Sequence, residues 1–130
     1  MAGGKKPDGV TMLVRVPEGM IEAAAAFYGT ILQRPHDFQP SPDLREWELK
    51  PDVWLLVGEG TPPQNGRIRF GSTQIDAERD LIHDALGVEI TAVETLDGIV
   101  AWCNFDDPWG NSLGIFQDLA KWPRTRSGEE

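Results

Sequence analysis

Residues 105–117 read F-D-D-P-W-G-N-S-L-G-I-F-Q. This short stretch holds the end of one strand, a turn and the start of another. Pro108 presets φ for the corner, and Gly110 and Asn111 tolerate φ > 0. Leu113 and Ile115 then alternate with their neighbours as a half-buried strand does. A hairpin alone is a common object. This one gains weight because it closes a chain that repeats its own plan.

Working backwards from the turn, residues 99–105 form a strand and Asp97-Gly98 is a strong two-residue hairpin signal. Residues 88–95 are expected as the partner strand. Before them, residues 74–86 read as a helix, with Ile75, Leu81, Ile82, Ala85 and Leu86 facing inward and Gly87 at C′. Residues 67–72, R-I-R-F-G-S, alternate as a strand. The same order stands earlier in the chain. Residues 10–16, V-T-M-L-V-R-V, alternate, and Pro17-Glu18-Gly19 breaks the run. Residues 20–33 form a helix, with Ile21, Ala24, Ala25, Tyr28, Ile31 and Leu32 as its apolar stripe. Pro35 is expected to end it. Phe38 lies on a short strand, residues 40–43 turn, and residues 45–50 and 53–57 are strands joined at Pro51-Asp52. Residues 58–66 are rich in Gly and Pro and read as a linker. Each half is therefore strand, helix, strand, strand, strand. A two-fold repeat in this order is a narrower signal than any single motif.

The composition bounds the rest. A chain of 130 residues is the size of one domain. Its net charge of -9, from 21 acidic and 12 basic residues, excludes the basic footprint that nucleic acid needs. The single cysteine, Cys103, cannot close an internal disulfide and fits a small core residue in a reducing compartment. No apolar run has membrane-helix length and no signal peptide is evident, so a cytoplasmic, membrane-free protein is expected.

The pieces V-R-V-P-E-G, A-A-A-A-F-Y-G-T-I-L at 23–32 and F-D-D-P-W-G-N-S-L-G-I resemble the vicinal oxygen chelate superfamily. That superfamily includes glyoxalase I, bleomycin-resistance proteins, fosfomycin-resistance enzymes and extradiol dioxygenases. The resemblance spans about residues 9–118. It implies an α+β fold of two βαβββ modules whose strands form a cup-shaped mixed sheet, with the helices outside. Module 1 would cover about residues 9–58, a linker 59–66, and module 2 about 67–118. Residues 1–8 would be a flexible tail, and 119–130 a C-terminal tail anchored by Trp122.

The resemblance also marks where a divalent metal would be held. The positions fall on Thr11, Arg67, Gly114, and Leu55 or Leu56. A cation needs carboxylate or imidazole donors, and Arg67 would repel it. His36 in a loop and His83 near a helix end read as ordinary surface histidines. Glu46, Glu48, Glu89 and Glu94 show no ligand spacing. No metal and no cofactor are therefore expected.

Without a metal, the implied cavity is a binding site. Trp47, Trp54, Trp102 and Trp109 lie on expected strands or turns and could stack with a flat ligand, or fill the core. Alternation places Arg15, Arg67 and Arg69 on the face away from the helices. They either pair with strand acids such as Glu46 and Glu48, or recognise an anionic group on a ligand. Binding or sequestration of an amphipathic aromatic small molecule, by a homodimer, is the expected function. The alternative is a metal-free lyase or isomerase using a carboxylate or Tyr28. No Ser/His/Asp set, Cys/His set or phosphate loop offers another route, and binding is favoured over catalysis.

Overall fold

The structure is a computed structural model that describes residues 9–61 and 67–120. The expected tail at 1–8, the end of the expected linker and Trp122 lie outside the described residues. The chain divides into two compact units, Met1–Pro63 and Gln64–Glu130. Each is a βαβββ module, and together they make the chain an α+β protein.

Module 1 runs β1 (Val10–Val16), α1 (Ile21–Leu32), β2 (Phe38–Ser41), β3 (Leu44–Lys50) and β4 (Val53–Glu59). Its sheet has the order β1-β4-β3-β2. β1 lies parallel to β4, and the other pairs are antiparallel. The linker therefore begins later than expected, because Gly58 and Glu59 still pair with Arg15 and Val16. Alternation fixes the two faces. Val14, Val16, Leu55, Val57 and Trp47 are buried together with Ile21, Ala24, Phe27, Tyr28 and Ile31 of α1. Ala25 and Leu32 are only half-buried, and Phe27 takes a core place instead. α1 ends at Gln33, whose φ of 60° is left-handed, with the Arg34 N–H donating to Gly29 O at 3.1 Å. Pro35 follows two residues after this cap, where a proline cannot continue the helix.

Module 2 runs β5 (Ile68–Gly71), α2 (Ile75–Leu86), β6 (Glu94–Leu96), β7 (Val100–Asp106) and β8 (Ser112–Asp118). The order is β5-β8-β7-β6, again with first and last strands parallel. Ala101, Cys103, Phe105, Leu113 and Ile115 form the buried face beneath Ile75 and Ile82 of α2. Two expectations fail here. Leu81 and Ala85 are exposed, because α2 buries a narrow stripe centred on Ile75 and Ile82. The strand expected over 88–95 shrinks to Glu94–Leu96. Arg79 captures the carbonyls of Ile90 at 2.7 Å and Thr91 at 2.8 Å. Thr91 still latches to β7, its N–H donating to Asn104 O at 2.9 Å and its Oγ1 accepting from Asn104 N–H at 2.9 Å.

The turn at 107–111 is held by a buried carboxylate. Asp107 Oδ1 accepts from the N–H groups of Trp109 at 2.9 Å and Asn111 at 2.8 Å, and Oδ2 accepts from Asn111 Nδ2 at 2.7 Å. Gly110 carries the positive φ, 94°. Each helix also receives an acceptor from the last strand of its own module. Glu59 Oε2 accepts from Ile21 N–H at 3.2 Å, and Gln117 Oε1 accepts from Ile75 N–H at 3.0 Å. These bonds satisfy first-turn donors that the helices cannot satisfy themselves. Among the described residues, no helix is long and apolar enough to cross a membrane.

Candidate functional site

The face of module 2's sheet turned away from α2 carries polar and aromatic side chains in register. Arg69 stands opposite Gly114, and Gly114 stands opposite Asn104, so the three form one row across β5, β8 and β7. The next row is Gly71, Phe116 and Trp102. Same-row residues of neighbouring strands are close enough to interact. Arg69 Nε donates to Asn104 Oδ1 at 2.9 Å, and the guanidinium carbon lies 5.9 Å from the Trp102 ring centroid. Arginine only donates, so the amide oxygen of Asn104 must be the atom that faces it.

Gly114 makes this row possible. A Cβ there would stand 2.6 Å from Cys103 O, 3.0 Å from Arg69 Cγ and 3.0 Å from Asn104 Oδ1. The arginine stem lies where a side chain would otherwise project. Beside the row is a depression of about 410 Å³ lined by Arg69, Val100, Trp102 and Phe116. It pairs one cation with an apolar and aromatic floor. Cys103 lies behind it on the buried face, where burial raises its thiol above the usual cysteine range.

The other expected site residues divide. Arg67 has the predicted orientation but its guanidinium is engaged. Nη1 donates to Phe105 O at 3.0 Å and Leu113 O at 2.6 Å, and lies 3.5 Å from Asp106 Oδ1. Arg15 lies in module 1, where Nη1 donates to Glu59 O at 3.1 Å and packs over Gly60. Trp54 is half-buried on module 1's corresponding face, 5.6 Å from Phe38. Trp109 is half-buried within the turn. Trp47 is a correction to the expected ligand set. It is 0% exposed, its indole N–H donates to Arg34 O at 3.1 Å, and Tyr28 and His36 flank it. It has no surface to offer a ligand. The sign was in L-R-E-W-E-L-K: if Glu46 and Glu48 face out, Arg45 and Trp47 must face in.

Two polar residues of interest were not singled out by the sequence reading. Asn104 needed the β7–β8 register before it could be set beside Arg69. Arg45 is 3% exposed, yet satisfied: it donates to Pro42 O at 3.0 Å and Leu44 O at 3.2 Å and pairs with Glu22 at 2.7 Å.

The positions that the sequence resemblance marks for a metal carry few donor groups here. Leu55 is core, Leu56 is aliphatic, Gly114 has no side chain, Thr11 offers one neutral hydroxyl, and Arg67 is a cation bonded to carbonyls. Among the described residues, no three His, Cys, Asp or Glu side chains gather as a ligand group. His36 packs edge-on to Trp47, and His83 lies 3.2 Å from Asp84 on the surface.

No family model matches the chain, and no curated protein matches it. Solved structures do. A glyoxalase/bleomycin resistance protein from Catenulispora acidiphila superposes with a TM-score of 0.68 at 22% identity, covering 84% of this chain and 96% of that one. A lactoylglutathione lyase from Agrobacterium tumefaciens gives 0.68 at 16% identity, with 87% and 96% covered. A glyoxalase/bleomycin resistance protein/dioxygenase family enzyme from Burkholderia phytofirmans gives 0.65 at 16% identity, with 84% and 97% covered. At these identities the likeness is one of fold.

Proposed function

We propose that this chain, which has the vicinal oxygen chelate fold, binds a small amphipathic molecule with an aromatic body and an anionic group, without a metal. The observation that carries the reading is Arg69. Its Nε is committed to Asn104, and no hydrogen bond within the described residues uses its terminal nitrogens. They border a depression of about 410 Å³ whose lining includes Val100, Trp102 and Phe116, within the size range of small-molecule sites. A guanidinium presenting two N–H groups matches a carboxylate or sulfonate. Trp102 and Phe116 supply the flat surface an aromatic body would stack on. The lyase or isomerase reading draws no support from this depression, because Arg69, Val100, Trp102 and Phe116 include no general acid or base for neutral pH.

The test is a calorimetric titration with naphthalene-2-sulfonate and its neutral sulfonamide. Preference for the anion, lost in Arg69→Gln, supports the site. Equal affinity for both probes, or retention of the preference in Arg69→Gln, refutes it. Arg67→Gln should leave the preference intact, since that guanidinium already serves backbone carbonyls. Homodimerisation belongs to the same proposal. It is supported by the edge strands β2 and β6, where Phe38 and Leu96 are each 58% exposed, and light scattering would test it.

A further inference from the structure

We infer that Asn104 and Gly114 are positioning residues that turn Arg69 into an end-on receptor for an oxyanion, and so set the ligand's charge selectivity. The inference rests on the binding function proposed for this face and adds how its selectivity is built.

An arginine side chain on an open sheet face has many rotamers, and immobilising one opposes binding. Here two features remove that freedom beforehand. Gly114 leaves a gap beside its strand partner Arg69, whose Cγ lies 3.0 Å from where a Cβ would stand. Asn104 Oδ1 then holds Nε at 2.9 Å. With Nε occupied, the side-on fork of Nε and one terminal nitrogen is closed to a ligand. The remaining fork is end-on, formed by Nη1 and Nη2. Trp102, at 5.9 Å from the guanidinium carbon, flanks the cation on the side of the depression. An aryl carboxylate or sulfonate meets both demands, its oxygens on the end-on fork and its ring on Trp102 and Phe116.

The roles of the three residues differ. Arg69 touches the ligand. Asn104 and Gly114 act through it. The other charged groups on this face are Arg67 with Asp106 one row further along, Glu94 opposite Trp102, and Asp118 at the end of β8.

Asn104→Asp is the decisive variant. It keeps the shape and replaces the amide by a carboxylate, which would take the arginine fork for itself. Asn104→Leu removes the acceptor and leaves Nε unheld. Both are measured with naphthalene-2-sulfonate and its sulfonamide, together with the ¹⁵Nε–¹H resonance of Arg69. A charge-assisted contact is expected to give the wild-type protein a preference for the sulfonate of about tenfold or more. Asn104→Asp should reduce that preference to about twofold or less while sulfonamide affinity holds within about twofold. Asn104→Leu should shift the Arg69 Nε–H resonance and weaken sulfonate binding. Gly114→Ala should act likewise if it folds; the Asn104 variants carry the test if it does not. Asn104→Asp with an undiminished sulfonate preference overturns the inference while leaving the binding site standing. Equal loss of both probes overturns it too, because that is the signature of a structural role. A wild-type protein that binds neither probe overturns this inference and the proposed function together.

Discussion

A methyl group added at Gly114 would stand 2.6 Å from the Cys103 carbonyl oxygen, which belongs to a paired strand and cannot swing aside. The position is closed from below by backbone and from the side by Arg69. In the sequence it reads only as a missing carboxylate. In the structure it is the space an arginine occupies. Two other residues allow sharp tests. Burial raises the Cys103 thiol above its usual range, so little thiolate is present at pH 8. Native protein should react with a disulfide reagent only slowly, and at full stoichiometry once unfolded in guanidinium. Asp37 is held below the usual aspartate range, first by its bond to Arg34 at 2.7 Å and then by the Glu48 N–H at 2.6 Å. A carboxyl whose folded value is depressed stabilises the fold at pH above its unfolded value, and that contribution is lost as pH falls through the folded value. Below about pH 4, wild-type stability should therefore fall more steeply than that of Asp37→Asn, as read from urea midpoints.

At the level of elements, the two helix starts capped by the last strand of their own module are the most exposed to challenge. Glu59→Ala and Gln117→Ala each remove an acceptor for a first-turn helix N–H, at an expected cost of about 1 kcal/mol. Amide exchange at Ile21 or Ile75 should quicken in the matching variant, and Glu59→Gln should retain most of the protection. The Asp107 turn should be more costly to lose. Asp107→Ala removes the carboxylate that accepts three hydrogen bonds across the turn, which predicts a loss of about 1–3 kcal/mol in chemical denaturation. Much of this architecture could be read from sequence, because strand alternation and helical spacing are local. V-T-M-L-V-R-V fixes its own faces, and both helices have clear ends. What escaped depends on tertiary partners. Arg79 draws residues 90 and 91 away from an extended ladder. Leu81 has helical spacing but is 43% exposed. The open-face arginines were legible by parity, yet only the register shows that Arg67 is tied to carbonyls and Arg69 to Asn104. Trp47 shows the opposite error, since its aromatic type suggested a ligand while its parity with Arg45 put it in the core.

For the molecule as a whole, both units share one constraint. The first and last strands of each module are neighbours, so the chain must travel the module's length before its sheet is complete. Arg15 meets the Glu59 carbonyl 44 residues later, and Arg67 meets that of Leu113 after 46. β4 and β8 each lie between two partners, so neither sheet is continuous without its last strand. Synthesis on the ribosome runs from the N-terminus, which turns this topology into a schedule. A nascent chain ending at Asp52 has β1 and β3 but nothing to join them. A few residues later, with Glu59 outside the tunnel, module 1 has every strand it uses, and its helix gains its acceptor from the same residue. Force measurements on arrested nascent chains should show a folding pull that begins only when Glu59 emerges. A second pull should follow when Gln117 does. The acceptor that caps each helix thus arrives with the strand that completes its sheet, and a chain that has not yet made that strand carries a helix start with an unsatisfied donor.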